Sequence, residues 1–154
     1  MRLATCVSVV VIASASVLSA QNKPSTVAAD SPACALLTKE AAAAALGEAV
    51  TGPKGTSMKE GPSSCEYEGS GIHRVHLNLM PMNAQTAGMY KMMCAQKNKD
   101  GLTGLGDTTC WYSDKHEELQ VLKGMTFFSI ELRRNGNPTE PIKTVAKSVY
   151  DRLK

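Results

Sequence analysis

Five methionines, Met80, Met82, Met89, Met92 and Met93, fall within fourteen residues beside His73 and His76. Thioether sulfur and imidazole in an exported chain are a donor set that could hold Cu(I). A Met/His copper-binding protein is therefore one reading. Spacing argues against it. His73 and His76 are an odd number of residues apart on a candidate strand, so their rings point to opposite faces and cannot chelate one ion. Met89, Met92 and Met93 fall at helical spacing, as a buried helix face needs. Flexible methionines also fill gaps in a core drawn from one Trp, four Tyr and two Phe. The pattern predicts core methionines and no metal site.

The other chemistry-bearing residues read as turns. Gly104-Leu105-Gly106-Asp107 lacks the third glycine and the following helix of a dinucleotide loop, so it predicts a tight turn capped by Asp107. Ser70 lies in Gly69-Ser70-Gly71 without the frame of a nucleophile elbow, and reads as a hairpin tip. His116 precedes Glu117 and Glu118 in a polar stretch, which predicts a solvated turn. No carboxylate pair has a spacing that suggests acid–base work. The expectation is a protein that is not an enzyme and holds no cofactor.

Cysteine chemistry is more informative. Residues 1–20 carry Arg2, an apolar run through Val7–Val11 and Ile12, and the small pair Ser19-Ala20, the pattern of a secretory signal peptide. Gln21 stands where a lipoprotein would carry its lipidated Cys. A periplasmic or secreted protein without a membrane span after cleavage is expected. The remaining 134 residues hold 16 Lys and Arg against 14 Asp and Glu, a net charge of +2. That is too weak for a nucleic-acid footprint, and 43% hydrophobic residues exclude a disordered chain. Cleavage also removes Cys6 and leaves Cys34, Cys65, Cys94 and Cys110. An even count in an exported chain, with no Cys-x-x-Cys, reads as two disulfides.

The elements that must position these residues follow from periodicity. Residues 21–33 read as a flexible linker, and 34–154 as a single domain. Thr38 is the expected N-cap of an Ala-rich helix that stops at Gly47. A short strand is expected within 48–62, then an alternating segment from Cys65. A strand over Ile72–Met82 has Val75, Leu77 and Leu79 on one face and Arg74, His76 and Asn78 on the other. A helix over Asn83–Lys97, a strand over Thr109–Ser113, and a hairpin of Leu119–Leu122 and Met125–Leu132 across Lys123-Gly124 follow. Ile142, Val145, Ala146, Val149 and Leu153 make a final amphipathic helix of Thr139–Lys154. The order α-β-β-β-α-β-β-β-α predicts an α+β fold, an antiparallel sheet with helices packed on it. Cys65-Glu66-Tyr67 and Cys110-Trp111-Tyr112 form a faint internal echo. Of the three possible pairings, element placement favours Cys34–Cys65 and Cys94–Cys110, each tying a helix to a strand of its own half.

Three stretches together carry a resemblance: Cys34-Ala35-Leu36-Leu37-Thr38-Lys39-Glu40 opening an Ala-rich helix, Gly104-Leu105-Gly106-Asp107 before a strand, and Leu122-Lys123-Gly124 leading into Phe127-Phe128-Ser129-Ile130. The chain over residues 33–153 resembles a broad group of small exported bacterial proteins of unknown function, akin to uncharacterised actinobacterial lipoproteins. The resemblance implies an α+β domain in the cell envelope and no catalytic residues.

Together these features predict a non-enzymatic, monomeric binding module whose partner is a protein or a small ligand. Arg74, His76 and Asn78 form the candidate binding surface. An alternative is an inhibitor of an extracytoplasmic hydrolase, presenting an exposed loop over residues 51–63.

Overall fold

Alternation of apolar and polar residues builds six strands in the computed structural model, which describes residues 30–100 and 102–154. The expected signal peptide, 1–20, and residues 21–29 of the expected linker lie outside the described residues. The elements are α1 (Pro32–Leu36), α2 (Lys39–Leu46), β1 (Thr51–Ser57), β2 (Ser63–Glu68), β3 (Arg74–Pro81), α3 (Ala84–Ala95), β4 (Thr108–Trp111), β5 (Glu118–Lys123), β6 (Thr126–Arg133) and α4 (Thr139–Arg152). The fold is α+β. One short helix, α1, is added to the expected order, and the end of the expected linker belongs to the fold. Ser31 is buried there, and its hydroxyl donates to the Ser64 carbonyl at 2.8 Å.

All neighbouring strands are antiparallel, in the order β1-β2-β3-β6-β5-β4. Each half of the chain contributes a three-stranded meander, and β3 meets β6 at the centre. The cysteine echo is not part of that symmetry. Cys65 lies on a middle strand and packs with α1, whereas Cys110 lies on an edge strand and packs with α3 on the opposite face.

Local chemistry explains the boundaries. Thr38 Oγ1 accepts the Ala41 amide at 3.2 Å to start α2, and Gly47 ends it in the left-handed conformation. Asn83 and Thr86 form a reciprocal capping box at the start of α3. Strand β3 places Val75 and Leu77 in the core with no exposure, and Leu79 packs at its margin. The second hairpin turns one residue later than expected. Lys123 still pairs with Thr126, and Gly124-Met125 makes the connection.

The two sheet faces differ. Helices α1, α2 and α4 cover the inner face, where Val75, Leu77, Leu119, Val121, Phe128, Ile130 and Leu132 meet Ile142, Val145 and Val149. Each such side chain contributes roughly 1.5–3 kcal/mol by leaving water. On the outer face α3 covers only one end, through Ala87, Tyr90, Cys94, Cys110 and Leu122, with Phe127 at the margin. The disulfides Cys34–Cys65 and Cys94–Cys110 therefore pin one helix to each face.

Candidate functional site

The face of β3 that carries Arg74, His76 and Asn78 is the uncovered part of the outer sheet face, and the three residues have different surroundings. Arg74 Nη2 donates to Glu131 Oε1 at 3.1 Å, and Nη1 lies 3.8 Å from Glu66. Arg133 Nε donates to the same Glu131 oxygen at 2.6 Å. Burial would raise the Glu131 carboxyl, but hydrogen bonds and charge from Arg74 and Arg133 hold it below its ordinary value. Arg74 is thus committed to a cross-strand ion network. His76 sits in register between Glu66 and Glu131. It lines a shallow concavity of about 370 Å3 with Pro53, Lys54, Thr56, Ser64 and Glu66. Asn78 is exposed and does not line it.

The other histidines stand elsewhere. His73 Nδ1 lies 2.8 Å from Glu48 Oε1, while the Ser70 amide and hydroxyl donate to the same carboxylate at 2.9 and 2.7 Å. Hydrogen bonds from Ser70 and then His73 hold the Glu48 carboxyl down to about 2, from an ordinary 4.5. Serine and histidine both contact the carboxylate and do not bond each other, so this is a clasp between the α2–β1 loop and the β2–β3 hairpin. Gly69 makes room for it: a Cβ there would collide with Glu48 Oε1.

His116 was expected in a solvated turn, and the structure corrects that. Its ring stacks on the buried Trp111 at 4.5 Å between centroids. Nε2 is 3.1 Å from Asn98 Nδ2, and Nδ1 is 3.3 Å from Thr139 Oγ1. It ties the loops beside β4 to the start of α4. No sequence period marks it, because its partners come from three separate segments.

The methionine expectation is also corrected. Ala87, Tyr90 and Cys94 form the buried face of α3, while Met89, Met92 and Met93 are 55%, 66% and 59% exposed. Tyr90 packs edge-on to Phe127 at 5.1 Å on the sheet side, and helical rotation then turns Met89, Met92 and Met93 away from it. Among the described residues, no group of three His, Cys, Asp or Glu side chains could hold a metal ion.

A further concavity was not marked by any motif. It lies between α2 and α4, has a volume of about 580 Å3, and has a floor of Ala41, Ala44, Ala45, Pro141 and Val145. These helices run antiparallel: Arg152 at the end of α4 bonds the Leu36 carbonyl just before α2, and Arg134, just before α4, bonds the Ala45 carbonyl. Charges sit only at the ends of the cleft, Glu40 and Arg152 at one, Glu140 at the other. The alanine run explains it. Side chains that stop at Cβ cannot fill the space between two helices.

Among the described residues, no helix is long and apolar enough to cross a membrane. Comparison with protein-family models, with curated proteins and with solved structures returns no match.

Proposed function

We propose that the protein is an exported, disulfide-stapled, non-enzymatic binding module of the cell envelope, and that it takes a small, largely apolar ligand in the α2–α4 cleft. The cleft is the observation that carries this reading: about 580 Å3, an apolar floor, charges confined to its ends and only the Thr144 and Ser148 hydroxyls between them, within the range of small-molecule sites. Two disulfides suit an oxidising compartment. The resemblance of three stretches to small exported bacterial proteins supports the same reading.

The test is to fill the cleft. Leucine is a strong helix former, so an Ala41→Leu/Ala44→Leu variant keeps α2 while occupying the space. The apolar fluorophore 1-anilinonaphthalene-8-sulfonate is expected to bind the native protein at one saturable site and the variant at least tenfold more weakly, with unchanged near-UV circular dichroism. Absence of saturable binding overturns the reading. Unchanged binding in the leucine variant, with loss in a His76→Ala variant, moves the ligand to the sheet face of Arg74, His76 and Asn78.

A second reading, hydrolase inhibition, is favoured by the β1–β2 hairpin. Its turn is closed by the Met58 amide donating to the Pro62 carbonyl at 3.0 Å, and Met58 is 55% exposed. Full residual activity in a panel of lysozymes and serine proteases at excess protein removes that reading.

A further inference from the structure

We propose that Met89, Met92 and Met93 form a thioether site for a soft monovalent cation, Cu(I), on the outward face of α3. The inference is independent of the ligand cleft, since none of these residues lines it.

Helical rotation places the three sulfurs together. With Ala87, Tyr90 and Cys94 turned to the sheet, Met92 lies opposite them on α3, Met89 lies beside it, and Met93 lies on the flank next to Met89. Side chains three and four apart have Cβ atoms about 5–6 Å apart. Three flexible torsions per methionine let the sulfurs converge from there on one ion.

Residue type points to the same site. A solvent-facing helix surface ordinarily carries charge, yet Lys91 is the one charged residue in α3, and the methionines are flanked by Gln85 and Gln96. Packing does not account for the methionines, because all three are more than half exposed. As apolar surface, Met and Leu have similar volume. What thioether adds is soft-donor character, which selects Cu(I) over harder ions.

Helix α3 is held rigid, and no other soft donor set competes among the described residues. The capping box at Asn83 fixes one end of α3, and the Cys94–Cys110 disulfide fixes the other. The four cysteines of the domain are all oxidised, so no thiolate there competes. The histidines do not approach as a set: His73 is held by Glu48, His76 lies on β3, and His116 stacks on Trp111.

The test uses the purified protein, Cu(I) buffered by bicinchoninate, and Ag(I) as a redox-stable probe. One equivalent is expected to bind, shifting the ε-methyl NMR signals of Met89, Met92 and Met93 and leaving those of Met58 and Met125 in place. A Met89→Leu/Met92→Leu/Met93→Leu variant keeps volume and helix propensity. It is expected to lose at least tenfold in affinity with an unchanged far-UV spectrum, while a Met125→Leu variant, altered on the β5–β6 connection, keeps native affinity. No stoichiometric binding by the native protein overturns the proposal. So does undiminished affinity in the triple leucine variant.

Discussion

Glu48 is the residue where local chemistry reaches furthest. Three donors from Ser70 and His73 hold its carboxyl at about 2, against an ordinary 4.5. A folded value below the unfolded one stabilises the protein above about pH 4.5, and that contribution disappears as pH falls toward 2. Glu48→Gln is therefore expected to flatten the pH dependence of the unfolding midpoint over that interval, measured by circular dichroism in a pH series. Neutral-pH stability should fall only modestly, because the clasp is partly solvated and the glutamine carbonyl can still accept from Ser70. A slope unchanged by the substitution would assign the acid dependence to Glu131 instead. The clasp was not legible in sequence. Glu48, Ser70 and His73 come together only when the α2–β1 loop folds against the β2–β3 hairpin, and the spacing of His73 and His76 carries information about strand faces alone.

At the scale of elements, the Gly-Leu-Gly-Asp segment is a clamp on the β5–β6 hairpin. The Asp107 amide donates to the Leu122 carbonyl at 2.7 Å, and Asp107 Oδ2 accepts the Gly124 amide at 2.7 Å. Both glycines have positive φ, but their surroundings differ. A Cβ at Gly106 would lie 2.6 Å from the Leu122 carbonyl oxygen, whereas one at Gly104 meets nothing within 4 Å. Gly104→Ala is expected to cost about 1 kcal/mol from backbone strain alone. Gly106→Ala should cost clearly more, because backbone must also move; urea titration of the two variants compares them. Equal costs would mean that the segment yields freely. Helix α4 gives a second comparison at this scale. Ile142 is fully buried against the sheet, so Ile142→Ala should cost about 2–5 kcal/mol, while an alanine at the exposed Lys147 should change stability by less than about 0.5 kcal/mol.

At the scale of the molecule, the two disulfides protect different layers. Cys34–Cys65 closes a separation of 31 residues beneath helices that already share a large core. Cys94–Cys110 closes 16 residues and holds α3, whose buried contacts are few. Chain entropy assigns each roughly 3–4 kcal/mol. The distribution of the loss should differ. A Cys94→Ala/Cys110→Ala variant is expected to lose amide protection across residues 84–95 while β3 and β6 keep theirs, as read by hydrogen exchange. Uniform loss over the whole sheet would show that α3 is integral to one cooperative unit.

The sequence alone determined much of this architecture. Val75, Leu77 and Leu79 at period two, the Thr38 and Gly47 caps, and the stripe of Ile142, Val145, Ala146 and Val149 are local patterns, and each names its element because backbone periodicity is a local property. Four cysteines spread over helix ends and strands also allowed the pairing to be chosen. Tertiary structure decided what faces what. Periodicity shows that Met89, Met92 and Met93 share one side of a helix but not whether that side meets protein or water, and the sheet below α3 took Ala87, Tyr90 and Cys94 instead. It also decided that His116 stacks on Trp111, that Arg74 is neutralised across strands, and that an alanine run opposite α4 leaves a cleft. Each depends on distances between residues far apart in the chain, set by how the layers pack rather than by spacing along it.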